Sequence, residues 1–331
     1  MSAVNVNSLT DKAKVETGPF ELEFSYETSG LNKETGAYVK EDGGIAKYLW
    51  DKCAKNPGHK DFIPIDEFNL DRLPDGYKEQ DIYELVKTLS ELTVSISVSY
   101  ASPARPEKLN DSTYPCFSDE TRYLTRCGTG RVWDAVKVEN EICPCETCKT
   151  STQPCLTWAK IGILTAMHVI YDESEVKSSK FELGYNKDDK NDDKYHLLEG
   201  YKVYKTEVEQ DMCYLYSASH CVELVDSLKA HLDDFQERCA AVNKKYSRDS
   251  NMKLTAIVSH PHGYFKHVTL GVWVERVLKR NNNTKYKYTT ATCPGCSGAP
   301  VYVVGRDKGW WLTHHHSGTE PPLNVSGIGW L

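Results

Sequence analysis

Three textures of apolar and polar residues follow one another along the chain. Residues 1–80 are polar and irregular, with turn signals at Lys40-Glu-Asp-Gly-Gly and Leu73-Pro-Asp-Gly and one short helix expected over 45–55. Over residues 80–92, Ile82, Leu85, Val86, Leu89 and Leu92 recur every three or four positions, which predicts a helix with one buried face. Thr93-Val-Ser-Ile-Ser-Val-Ser-Tyr100 then alternates as a half-buried strand does, and Ala101-Ser-Pro-Ala-Arg-Pro breaks it.

From about residue 120 the pattern is that of strands. They are expected over 128–138, 157–165, 181–185, 200–206 and 212–216. Residues 221–246 interrupt them: Val222, Leu224, Val225, Leu228, Leu232, Phe235 and Cys239 keep helical spacing with no Pro or Gly among them. Strands resume over 253–258, 267–277, 286–290, 301–304 and 310–316. Two β-rich blocks with a helical connector predict two barrels or one large sandwich.

Length and composition narrow the class. A chain of 331 residues, 40% hydrophobic and 26% charged, has material for one large or two modest domains with a real core. A net charge of −7 with no basic stripe argues against a nucleic-acid binder. No stretch approaches the roughly 20 apolar residues of a membrane span. The N-terminal Met-Ser-Ala-Val-Asn-Val-Asn has no apolar core of a secretory signal, so a cytoplasmic location is expected and the sequons at Asn110, Asn282 and Asn324 are expected to be unused. In a reducing compartment the twelve cysteines read as metal ligands or buried thiols before they read as disulfides.

The candidate chemistry starts at Cys293-Pro-Gly-Cys-Ser297-Gly-Ala-Pro300, with an apolar run at 301–304 behind it. A serine between glycines on a tight turn can present its hydroxyl, while the turn's N–H groups converge on one point, as an oxyanion hole requires. Upstream, Leu164-Thr-Ala-Met-His168 ends one strand and Asp211-Met-Cys-Tyr-Leu opens another. Singly these are ordinary: most serines near glycines are turn residues, and a histidine after a strand is usually a satisfied polar terminus. Asp226, Asp233 and Asp234 fall on the predicted helix, which leaves Asp211 as the aspartate between His168 and Ser297 with a strand behind it.

In these three motifs the chain resembles the trypsin/chymotrypsin-like serine endopeptidases, which share the order His, Asp, Ser and the patterns T-A-x-H and G-x-S-G-x-P. Gly128-Thr-Gly130 and Ser259-His-Pro-His-Gly263 look like the opening segments of that family's two barrels. The likeness covers roughly residues 95–331. It implies an all-β core of two six-stranded chymotrypsin-like barrels joined by a long connector helix, with an N-terminal mixed extension packing on or preceding the first barrel. The expected division is an accessory segment over 1–92, a first barrel over 93–220 carrying His168 and Asp211, a connector over 221–250, and a second barrel over 251–331 carrying Ser297.

The resemblance also implies roles. Ser297 is the nucleophile, His168 the base, Asp211 its orienting carboxylate, and the N–H groups of Gly295 and Ser297 the oxyanion hole. The substrate is a polypeptide and catalysis needs no cofactor. Trypsins hold an activating aspartate at the position of Cys296, so no zymogen cleavage of that kind is expected here. His316, in His314-His315-His316-Ser317-Gly318, is placed to read Glu or Gln before the scissile bond, with the pocket base near Ala291. A bland alternative is that the three histidines are a solvated or metal-scavenging run.

Cys143, Cys145, Cys148 and Cys155 crowd one loop between predicted strands, and tetrahedral zinc is the sharp reading, with Cys127 as alternate fourth ligand. Reduced thiols and disulfides are its alternatives. Asn186-Lys-Asp-Asp-Lys-Asn-Asp-Asp193 reads as a solvated acidic loop before it reads as a calcium site. The expected function is therefore a serine endopeptidase. Its rivals are a catalytically silent scaffold of that fold, a zinc-stabilised interaction module, and a cysteine protease using Cys296.

Overall fold

A computed structural model describes residues 14–15, 44–109, 112–117, 122–189, 191–279, 283–306 and 314–330. Strand β1 (Lys14–Val15), helix α1 (Gly44–Asp51) and strand β2 (Ile63–Pro64) precede helix α2 (Gln80–Glu91), and β3 (Thr93–Val98) follows at once. After the short strands β4 (Lys108–Leu109) and β5 (Ser112–Thr113) come β6 (Arg126–Glu139), α3 (Glu146–Thr150), β7 (Thr157–Ala166), α4 (Glu173–Lys177), β8 (Ser179–Leu183), β9 (His196–Glu207) and β10 (Met212–Ser219). Helix α5 (Leu224–Tyr246) leads to β11 (Leu254–Ser259), β12 (His267–Leu278), β13 (Asn283–Tyr288), β14 (Val301–Val303), β15 (His316–Glu320), β16 (Leu323–Ser326) and β17 (Gly329–Trp330).

The described residues are mostly β, in two large sheets and a separate two-stranded one, β4 with β5. The first closes on itself as an antiparallel barrel in the order β10-β7-β6-β3-β8-β9. Alternation fills its interior: Val94, Ile96 and Val98 of β3 meet Val132, Ile161, Ile163, Phe181, Leu183, Leu198 and Leu215 in one core. The second sheet runs β14-β11-β12-β13-β16-β15, with β1, β2 and β17 paired off this path. An isolated bridge between Pro300 and His315 brings the β14 end of that path against the β15 end.

Most expected elements recur within a few residues of their predicted bounds. The strand expected over 310–316 does not: 310–313 lie outside the described residues, and the observed strand starts at His316 and runs on to Glu320. Part of the N-terminal segment joins the second sheet: β2 pairs with β12, Pro64 opposite His267 and Ile63 opposite Val268.

Helix α5 lies between the β units because its apolar stripe has two partners. Leu224, Val225, Leu228, Leu232, Phe235, Cys239 and Val242 are buried with Ile82, Leu85, Val86 and Leu89 of α2 and with residues of both sheets. Phe235 is fully buried, its ring 6.4 Å from that of Tyr302 and 5.9 Å from the Arg131 guanidinium. Phe235→Ala should therefore lower unfolding free energy by about 3–5 kcal/mol in a urea titration. A loss under 1 kcal/mol would show that α5 does not bind the two units together. Among the described residues no helix is long and apolar enough to cross a membrane.

Candidate active site

His168 sits in the turn just after β7, and Asp211 immediately precedes β10, the strand that pairs with β7. Neighbouring strand ends thus bring the two together. Asp211 takes a left-handed backbone conformation, φ 55°, at the end of a short helical turn. Its carbonyl accepts the Met167 N–H at 2.9 Å. Its carboxylate accepts the His168 N–H at 3.0 Å through Oδ1 and meets His168 Nδ1 at 2.7 Å through Oδ2. An ionised carboxylate can only accept, so the shared proton lies on Nδ1 and the basic lone pair lies on Nε2. Ser317 Oγ donates to the same Oδ2 at 2.6 Å. Burial alone would raise the Asp211 pKa, but the charge of a protonated His168 and its hydrogen bond, with the nearby His315 ring adding to them, hold it well below the usual carboxylate range.

A buried ion triad fixes the turn that carries His168. The Glu175 carboxylate is bound by Arg105 at 2.5 and 2.8 Å and by Arg126 at 2.5 Å, with all three side chains almost wholly out of solvent. The same guanidiniums reach the His168 carbonyl at 3.1 Å and the Val169 carbonyl at 3.0 Å, and Glu175 also accepts the Tyr171 N–H at 2.8 Å. No local motif signals this triad, because its members come from separate segments.

Thr129, in the glycine-flanked start of β6, holds the Ser297 turn against the first barrel. Its N–H donates to Ser297 O and its Oγ1 to Gly295 O, both at 2.8 Å, and Oγ1 accepts the His260 N–H at 3.0 Å. Gly295 and Gly298 have φ of +93° and +83°, where other residues are strained. A Cβ on Gly298 would come within 2.2 Å of Thr165 Oγ1 and 2.8 Å of Ala166 N. The turn therefore abuts the strand end two residues before His168. The N–H groups of Cys296 and Gly298 are taken by Cys293 O and His316 O. Ser297 and His168 are both fully buried.

Cys296 is also fully buried, its Sγ 3.3 Å from Ser259 Oγ, and burial pushes its thiol up to about 11. That is the opposite of what a cysteine nucleophile needs.

The three consecutive histidines are buried rather than solvated, and each has its own partner. His314 Nε2 meets Thr284 Oγ1 at 2.9 Å, His315 Nε2 lies 3.8 Å from Asp211 Oδ2, and His316 Nδ1 meets Tyr288 OH at 2.7 Å. Burial, with the nearby Lys55 charge, keeps the His316 pKa well below the ordinary histidine value. Ala291 is half-buried beside the Phe62–Cys293–Cys296 cluster. Next to it, Thr292 Oγ1 accepts from Lys55 Nζ at 3.0 Å, and Asn324 Oδ1 accepts from the same ammonium at 3.3 Å. Lys55 is a residue that sequence reasoning missed. Asn324 is buried and donates to Thr290 O at 2.7 Å, so it is no glycan acceptor, while Asn110 and Asn282 lie outside the described residues.

In the cysteine-rich loop, Cys143, Cys145 and Cys148 converge with His220, their ligand atoms all within 4.8 Å of one another. His220 Nε2 lies 3.4 Å from Cys145 Sγ and 3.3 Å from Cys148 Sγ. His220 stands just past β10, beside β7, and so replaces Cys155 as the fourth donor. Cys155 turns its own Sγ toward Thr157 O at 3.5 Å and contributes only its N–H, which donates to Cys148 Sγ at 3.3 Å. Cys127 lies elsewhere, beside Gly263. Three thiols and one imidazole are a standard donor set for a structural zinc. The acidic loop at 186–193 is braced instead: Tyr185 and Tyr264 donate to Asp188, and Lys187 pairs with Asp192 at 3.1 Å. Lys190 lies outside the described residues.

No protein-family model matches the chain, and no curated protein is similar to it in sequence. Among solved structures it is similar to the HtrA-type protease AlgW with a decapeptide, at TM-score 0.38 and 11% identity over 73% of this chain. It spans 62% of that chain's length. It is also similar to the Rv3671c protease from M. tuberculosis in its active form, at TM-score 0.37 and 11% identity over 74% of this chain and 78% of that one.

Proposed function

We propose that the protein is a serine endopeptidase that cleaves peptide bonds through an acyl-enzyme. The observation that carries this reading is the buried hydrogen-bond chain Ser317–Asp211–His168 with the Ser297 turn packed against the end of the His168 strand. In it, Ser297 Oγ attacks the carbonyl carbon while His168 Nε2 takes its proton and then returns it to the leaving amine. Asp211 stays ionised, keeps the proton on Nδ1 and stabilises the imidazolium. The N–H groups of Gly295 and Ser297 receive the oxyanion. Residues 93–220 and 251–331 act as the two barrel domains and 221–250 as their connector. A reducing, cytoplasmic setting suits the thiol-rich clusters, and a zinc at Cys143, Cys145, Cys148 and His220 staples the loop between β6 and β7.

The test is labelling of the folded full-length chain with a fluorophosphonate, followed by peptide mapping. The expected adduct is on Ser297. No adduct on folded protein would favour the silent scaffold, since the buried hydroxyl must be both reachable and activated.

For the residue before the scissile bond the reading is Glu or Gln. His316, held neutral by burial and oriented by Tyr288, offers a hydrogen bond to either. The Lys55 ammonium on the Thr292–Asn324 wall favours the carboxylate. A hydrogen bond to a charged group contributes about 1.5–3 kcal/mol, so Lys55→Met should lower kcat/KM on Glu substrates roughly 10- to 100-fold. Gln substrates should change much less. Equal losses on both would remove Lys55 from specificity.

A further inference from the structure

We propose that Cys53, His59, His262 and Cys293 form a second zinc site, which clamps the N-terminal segment onto the turn carrying Ser297. The four residues come from three distant pieces of chain. Cys53 follows α1, and His59 ends the 3-10 turn Pro57–His59. His262 lies in the turn Pro261–Gly263 between β11 and β12, and Cys293 opens the nucleophile turn. Their four ligand atoms all lie within 4.8 Å of one another.

The spacing fits one tetrahedral ion. Zinc with Zn–S of about 2.3 Å and Zn–N of about 2.05 Å sets its sulfurs about 3.8 Å apart, its nitrogens about 3.3 Å apart, and sulfur from nitrogen about 3.6 Å. Here the sulfurs of Cys53 and Cys293 are 3.5 Å apart, Nε2 of His59 and His262 are 3.2 Å apart, and Cys293 Sγ is 3.4 Å from His59 Nε2. Each of these separations lies within a few tenths of an ångström of its tetrahedral value. A disulfide would account for two of the four groups and leave the facing imidazoles unexplained.

The surroundings are those of a built site. His59, His262 and Cys293 are buried, and Cys53 is half-buried. Both histidines hold left-handed backbone conformations, φ 45° and 59°, an uncommon state for a residue with a side chain. The Trp50 ring stacks on His59 at 3.6 Å and shields it. Asn56 donates its N–H to Cys53 Sγ at 3.4 Å and its side-chain amide to Cys293 Sγ at 3.1 Å. Donors of this kind support ligating thiolates, which the thiols become by releasing their protons as the metal binds. Lys55 lies inside the Cys53–His59 loop, so the ion also fixes the ammonium against Thr292. What that does for substrate choice rests on the endopeptidase reading; the site itself does not.

The test is zinc content of the full-length protein by plasma mass spectrometry. Two zinc ions per chain are expected. Cys53→Ser and His59→Ala should each leave one, held by Cys143, Cys145, Cys148 and His220, whereas His59→Cys, which keeps a donor, should retain two. If the first pair of variants does not fold, cobalt(II) in the folded Cys145→Ser/Cys148→Ser protein gives the second reading. Intense tetrahedral d–d bands with thiolate charge transfer would support the site, and their absence would overturn it. Unchanged zinc in His59→Ala, or a Cys53–Cys293 disulfide found by peptide mapping, would also overturn it. None of these readouts uses peptidase activity, so the proposal stands or falls separately from the catalytic one.

Discussion

On the endopeptidase reading, Ser297→Ala should lower kcat on peptide substrates by about 10⁶-fold, because the nucleophile and base of a triad act as a unit and losing either removes the covalent route. The fold should survive the change. The backbone carbonyl of Ser297, which accepts the Thr129 N–H at 2.8 Å, is untouched, and so are the glycine conformations on either side. A thermal melt within a few degrees of the parent chain, together with loss of turnover and of fluorophosphonate labelling, is the expected set of results. Parent-level turnover in the variant would take the hydroxyl out of the chemistry. Iodoacetamide inactivation would then point to Cys296, against the pressure that burial puts on its thiol.

Asp211→Asn should lower kcat at neutral pH by about 10⁴-fold with little change in KM. The amide nitrogen of asparagine is a donor, and facing His168 Nδ1 it favours the tautomer with the proton on Nε2, which cannot accept from Ser297. The variant should also change acid stability. A carboxyl with a depressed folded pKa contributes stability that is complete above its unfolded value, 3.8, and is lost as pH falls through the lower folded one. Urea titrations between about pH 2 and 5 should therefore show a shallower acid decline in Asp211→Asn than in the parent. An unchanged pH–rate profile with only a uniform loss of stability would reduce Asp211 to a structural role.

How far the sequence could be read depended on distance along the chain. The helix at 80–92, the strand after it and the long helix after residue 221 were legible because periodicity is a local property, and the structure has α2, β3 and α5 at those places. The residues of the Ser297 turn were legible because a tight glycine turn is written in consecutive positions. What could not be read was assembled by tertiary contact. His220 joins Cys143, Cys145 and Cys148 only because β10 lies beside β7, and nothing near it in sequence resembles a ligand motif. Cys53 and Cys293 are 240 residues apart and His59 and His262 are 203 apart, so no spacing rule unites them. Ser317 as a second donor to Asp211 did carry a signal, since it follows His316 in the same short run. Lys55 carried none.

The pairing of β2 with β12 has a consequence for how the molecule reaches its native state. Ile63–Pro64 must wait for His267–Val268, about two hundred residues later, before its ladder can form. Closing so long a loop costs entropy that no local contact returns in advance, and pairings of this kind slow folding. The second sheet cannot mature as an independent C-terminal unit, because one of the partners of β12 is supplied from residues 63–64. Refolding from denaturant should accordingly end in a late, rate-limiting step that completes the second sheet and the neighbourhood of Ser297 together.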